Sequence, residues 1–252
     1  MSGHSKWANI RVKKTAQDAR RGKIFTRHAR LIEIAARSGG GDPDTNAALR
    51  AAIDNAKADS VPNTNIERAV KKGAGETKGE AMAEVIYAAT GAGGVAYLIE
   101  CLTDNTNRTL ANVKGILNKN GGKFAETGSV IWLFEQKGIL TASGNKPMSE
   151  DEQLALIDMG AEDIELNGSS IAITSNRGAL GKVRDHMKHM GCEVQSAGLQ
   201  YIPKQTISIA DLEIARGIVH LVEALEEDED VAEVHTNAEF SNEATASLEQ
   251  SA

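Results

Sequence analysis

The sequence predicts an α+β protein. It reads as an N-terminal three-helix bundle plus two ferredoxin-like α/β domains, the last inserted into the middle one. Three observations carry this. First, charge divides the chain: residues 1–75 hold 15 Lys/Arg against 7 Asp/Glu, and residues 76–252 hold 13 against 28. The two parts carry +8 and −15, within a whole of −7, and a shift this large marks a domain boundary. Second, apolar residues before the boundary recur at helical spacing, whereas β-rich runs alternate with helical ones after it. Third, the order strand–helix–strand–strand–helix–strand can be read over residues 137–202, which is the ferredoxin-like plan.

In chain order, residues 11–21 form a basic first helix or an ordered arm. From Ile24 the positions Ile24, His28, Leu31, Ile32 and Ala35 follow helical spacing. Gly39-Gly40-Gly41 stops this helix, since glycine accepts the left-handed cap. Asp42-Pro43 opens a second helix, with Leu49, Ala52, Ile53 and Ala56 on one face. Pro62 and Thr64 start a third, with Ile66, Ala69 and Val70 inward and Gly73 at its end. Gly73, Gly75 and Gly79 supply a linker.

Residues 84–90 (EVIYAAT) and 95–102 (VAYLIECL) are strands, joined as a hairpin by Gly91-Ala92-Gly93-Gly94. Residues 106–120 are helical, with Leu110, Val113 and Leu117 on one face, and Gly121-Gly122 ends them. Residues 129–134 (SVIWLF) read as a strand, as do residues 139–141. Ser149 caps a helix carrying Leu154, Ile157 and Asp158, and Glu152 completes a capping box. Strands at 163–166 and 170–174 meet at Asn167-Gly168, a hairpin signal. A helix at 178–190 and a strand at 192–202 follow.

A helix at 211–225 and a strand at 231–235 remain after Pro203. They are too short to fold alone, so they complete the middle domain. The expected domains are 1–78, then 79–136 with 203–240, with 137–202 inserted. Residues 241–252 are expected to be a flexible polar tail.

A basic arm on an acidic body implies a polyanionic partner. Nucleic acid is the commonest, because each phosphate neutralised releases condensed counterions. Ten of the first 37 residues are Lys or Arg, opposed only by Asp18 and Glu33. The candidate contacts are Lys6, Trp7, Arg11, Lys13, Lys14, Arg20, Arg21, Lys23, Arg27 and Arg30. Trp7, set among Lys6, Asn9 and Arg11, either stacks on an unpaired base or pins the arm onto the first helix. His4 could meet phosphate when protonated. The acidic run at 226–230 (EEDED) is a solvated loop or a cation site. In both cases it repels phosphate, so the nucleic-acid face is expected at the other end.

Other features narrow the function. No apolar run is long enough for a transmembrane helix, and no secretory h-region is seen, so a bacterial cytoplasmic protein is expected. Cys101 and Cys192 lie far apart without CxxC pairing, which argues against a zinc site or a disulfide framework. Gly91-Ala92-Gly93-Gly94 precedes a strand rather than a helix, so it lacks the context of a phosphate loop. His186 and His189 have no spaced carboxylate or Cys to complete a metal shell. No GxSxG, HExxH or Cys–His signature appears. No catalytic residue, metal, cofactor or small-molecule substrate is therefore expected.

The runs GHSKWANI, AQDARRGKIFT, GGGDP and NAALRAAI, with TDNTNRT at residues 103–109, resemble the YebC/PmpR family. The resemblance covers nearly the full length, to about Glu239. It implies a three-domain α/β protein without enzymatic activity, acting as a DNA-binding transcriptional regulator. It equally implies a ribosome-associated translation factor, as in the mitochondrial activator of cytochrome oxidase subunit I synthesis. Promoter DNA and ribosomal RNA or the ribosome are thus the expected partners. The rival class is a protein-only interaction adaptor. Within TDNTNRT, Asn105, Asn107 and Arg108 either cap a helix or contact RNA or a protein partner.

Overall fold

A computed structural model describes residues 17–76, 81–144 and 148–250, with side chains placed from Gly22 to Leu248 within those spans. Helices α1 (Gln17–Gly39), α2 (Ala47–Ala58) and α3 (Asn63–Gly73) come first. The chain continues through β1 (Ala83–Thr90), β2 (Ala96–Thr103), α4 (Thr106–Lys119), β3 (Lys123–Ala125) and β4 (Phe134–Ser143). Next are α5 (Glu150–Asp158), β5 (Ala161–Asn167), β6 (Ser170–Asn176), α6 (Leu180–His189) and β7 (Glu193–Pro203). Last come β8 (Ile207–Ile209), α7 (Leu212–Glu227), β9 (Val231–Thr236), β10 (Ala238–Phe240) and α8 (Asn242–Gln250).

The three N-terminal helices pack on Ile32, Ala36, Leu49, Ala56, Ile66 and Ala69. Gly73 is their closest approach. A Cβ added there would run into the Glu33 carbonyl and Ala36, so only glycine lets α3 lie against α1. The second helix does not open at Asp42-Pro43, which form a turn instead. Asn46 caps it: Oδ1 accepts from Leu49 N at 3.1 Å, while the amide donates to the carbonyls of Ala35 and Gly40 at 2.8 and 2.9 Å. One buried Asn thus fixes both the start of α2 and the end of α1, which the Pro signal could not do.

Two four-stranded antiparallel sheets follow, in the orders β3-β1-β2-β9 and β5-β6-β4-β7. The second has the expected strand–helix–strand–strand–helix–strand order, with Leu156, Val183 and Met187 of α5 and α6 packed on Leu140 and Ile173. In the first, α4 and α7 cover one face, but the hairpin β1–β2 leads. The sheet keeps the two-layer form while its connections differ. Strand β9 pairs with β2 across more than a hundred residues, Ile99 opposite Val234. Helix α7 anchors this layer, burying Ala215, Ile218, Val219, Leu221, Val222 and Leu225 at helical spacing. Each large aliphatic chain buried there contributes roughly 1.5–3 kcal/mol.

Three more expectations need correction. Residues 129–134 are not a strand: short helical turns at Thr127–Val130 and Ile131–Leu133 precede β4. Trp132 is 62% exposed there and donates its indole N–H to the Ser129 carbonyl at 2.9 Å, so the β-rich composition misled. On α5, Leu154 and Ile157 face solvent, and Leu156 is the buried residue. The expected flexible tail is helix α8, whose Ala244 and Leu248 enter the α4–α7 core. Ser241 caps it, accepting from Ala244 N at 3.1 Å.

Candidate nucleic-acid interface

Lys23, Arg27 and Arg30 stand four and then three residues apart on α1, so they share one face. That face meets the acidic run. Lys23 Nζ donates to the carbonyl of Glu226, at the C-terminal end of α7, where the helix dipole favours a cation. Arg27 pairs with the buried Glu233 at 2.6 Å. Arg30 donates to the carbonyls of Leu102 and Glu229 at 2.7 and 2.6 Å and pairs with Asp230 at 3.1 Å. The acidic run is therefore not at the far end from the basic helix. It lies against it, and Asp230 is buried rather than solvated.

Asp230 is the hub of this junction. Thr109 donates to its Oδ2 at 2.8 Å, Arg108 at 2.7 Å and Thr103 at 3.3 Å. Burial alone would raise its pKa. Hydrogen bonds from Arg108 and Thr109, with the charges of Arg108 and Arg30, instead hold it below the ordinary carboxylate value. This gives TDNTNRT a structural reading. Asn105 caps α4, accepting from Arg108 N at 3.0 Å. Arg108, which capping would not require, binds Asp104 at 2.9 Å and Asp230. Asn107 is exposed in the first turn.

The other predicted contacts fall elsewhere. Lys6, Trp7, Arg11, Lys13 and Lys14, with His4, lie outside the described residues. Arg20 and Arg21 lie on α1, described by backbone alone. Sequence reasoning passed over Lys57, Arg68 and Lys71, which are exposed on α2 and α3 without an ion-pair partner among the described residues. The spacing of Arg68 and Lys71 on one helix face was the available signal. It also passed over Asp230 as distinct from its neighbours, and nothing local marks it.

The two sheets meet near the same junction. His235 bonds Glu100 at 2.8 Å, and Tyr201 of β7 stands edge-on to His235 at 5.7 Å. The helical unit also reaches β7: Asn55 donates to the Ala197 carbonyl at 2.7 Å and accepts from its N–H at 3.2 Å. Cys101 is buried on β2, its thiol pushed up to about 12 by burial and then by the charges of Asp228, Asp230 and Glu100. Such a thiol is not a nucleophile near neutral pH. Among the described residues no group of three His, Cys, Asp or Glu is placed to hold a metal. No helix among them is long and apolar enough to cross a membrane.

Fold and junction define the class: a basic helical unit clamped onto a body of two antiparallel α/β sheets. Known proteins share it. The family model for the TACO1/YebC N-terminal domain matches residues 5–76, and that for the TACO1/YebC second and third domain matches residues 82–238. The chain belongs to the TACO1/YebC family. A relative from Nocardia farcinica, named a probable transcriptional regulatory protein, is 46% identical over 250 residues, covering 99% of each chain. One of the same name from Desulfitobacterium hafniense is 43% identical over 244 residues, covering 96% of this chain and 97% of its own. The crystal structure of a conserved hypothetical protein from Aquifex aeolicus superposes with a TM-score of 0.82 at 39% identity. That match covers 91% of this chain and 95% of the other.

Proposed function

We propose that the chain is a non-enzymatic, nucleic-acid-binding regulator of gene expression, with promoter DNA as its target. The observation that carries this is the charge split, +8 before residue 76 and −15 after it. The relatives' name, probable transcriptional regulatory protein, supports the regulatory reading. In this reading residues 1–78 form the phosphate-binding domain. Residues 79–136 with 203–240, and 137–202 inserted, form the acidic platform, and the protein works in the cytoplasm. Lys6, Arg11, Lys13, Lys14, Arg20 and Arg21 take phosphate, joined by Lys57, Arg68 and Lys71. Asn107 is left to a partner.

A second target, ribosomal RNA, is favoured by Trp7, since an aromatic ring among cations suits unpaired bases. The test is a salt titration of binding to duplex DNA and to structured RNA. Changing Lys13, Lys14, Arg20 and Arg21 to Gln should flatten the slope of log affinity against log salt by up to about 3. An unchanged slope would mean that the arm does not bind phosphate. Trp7→Ala should cost roughly 1–3 kcal/mol on RNA loops if the ring stacks, and little on duplex. Crosslinking and sequencing of bound nucleic acid then separates the targets: recurrent promoter fragments favour transcription, ribosomal RNA favours translation.

A further inference from the structure

The stripe Lys23, Arg27, Arg30 is engaged along its whole length by the segment 226–233. A cleft of about 360 Å³ opens beside it, with Thr26 on one wall and Glu227 and Glu229 on the other. These contacts differ in strength. Arg30 is 17% exposed, holds two carbonyls and pairs with a buried Asp230 that three further side chains bind. Breaking that pair strands a buried charge, so it stays closed. Lys23 is exposed and Arg27 is 40% exposed. The Lys23 contact is open to water and salt, and Arg27 makes one contact where Arg30 makes three, so it is the easier of the two to release even though its partner Glu233 is buried.

We propose that segment 226–233 is an internal competitor for phosphate, holding Lys23 and Arg27 until nucleic acid displaces it while Arg30 remains as the pivot. The chemistry matches on both sides. A carboxylate and a helix C-terminal carbonyl offer the partial or full negative oxygens that a phosphate would offer. The inference rests on the nucleic-acid reading above and adds regulation to it. Cations already occupied contribute to binding only after their internal partners leave, so the closed form binds more weakly and more selectively than its composition suggests.

The test uses the full chain with two opened variants on a fixed DNA duplex and an RNA hairpin across a salt series: E233Q, which removes the charge paired with Arg27, and E227Q/E229Q, which leaves the backbone contacts in place and thins the negative field in the cleft beside Lys23 and Arg27. The opened variants should bind roughly two- to fivefold tighter, the scale of exposed ion pairs relieved. Their salt slope on duplex should steepen by about 0.9 for each cation freed. Adding K23Q and R27Q should remove the gain. A second readout needs no nucleic acid: acetic anhydride should label Lys23 faster in the opened variants, scored by mass spectrometry. Glu227 and Glu229 are exposed, so that pair carries the test if E233Q fails to fold. Folded variants with wild-type slope and wild-type labelling would overturn the competition and leave nucleic-acid binding standing. Absence of salt-dependent binding in every form, despite faster labelling, would overturn both readings.

Discussion

Two acidic stretches of this chain are alike in sequence and opposite in fate. Residues 149–167 hold seven acids and no Lys or Arg; residues 226–233 hold six acids and no Lys or Arg. In the first, Glu150, Asp151, Asp158, Glu162 and Asp163 face water along α5 and β5. Glu152 completes the capping box with Ser149, and Glu162 meets Lys137 at the surface. In the second, Asp230 and Glu233 are buried against Arg30, Arg108 and Arg27. The lesson is that local acidity does not decide whether a carboxylate is solvated. The fold decides, by whether it brings a complementary stripe from elsewhere.

The largest test of this contrast is Asp230→Ala. It removes the hub and leaves the largely buried Arg30 without its carboxylate, and breaking a buried pair costs about 3–5 kcal/mol. Asp163→Ala, in the solvated stretch, should stay within about 0.5 kcal/mol. Denaturant unfolding of the two variants decides the matter; similar losses would erase the distinction between the stretches.

The second test is acid. The folded pKa of Asp230 lies below its unfolded value, so its contribution is fully present above the unfolded pKa, about 3.9. It is lost as pH falls from there through the folded value. Wild type should therefore lose stability below about pH 4 more steeply than Asp230→Asn does. Parallel acid limbs in the two proteins would show that Asp230 is not held by its partners.

The smallest test compares two caps. Asn105→Ala and Ser149→Ala each remove one side-chain acceptor at a helix start, worth typically about 1 kcal/mol. Equal losses would confine Asn105 to capping. A loss of nucleic-acid affinity at Asn105 with stability intact would return it to the partner surface.

Much of the fold was legible because it rests on local rules. Ser149 with Glu152, Asn167-Gly168 and the spacing along α7 each declare themselves within a few residues. The errors share a different cause. SVIWLF has strand composition, but tertiary packing turns it into a helical corner with Trp132 outward. Residues 241–252 are mostly polar, and it is the packing of Ala244 and Leu248 into the core that makes α8 a helix. At the junction, the cations of α1 were legible as a stripe, but their occupancy was not. Arg30 and Asp230 lie two hundred positions apart, and no pattern in either segment names the other.

The pairing of β9 with β2 also sets an order of events during synthesis. The inserted sheet holds all its strands once residue 203 has emerged, whereas its host still lacks an edge until residue 236. Vectorial emergence at about 5–20 residues per second gives the insert a lead of seconds over the host. The guest is therefore expected to protect its amide hydrogens first, and stalled nascent chains whose residue 215 has just left the ribosome would reveal this by resisting protease only in the insert. Until the last strand arrives, Lys23, Arg27 and Arg30 have no acidic segment to meet. The newborn chain, for that interval, carries its basic helix unmasked beside a machine made of RNA.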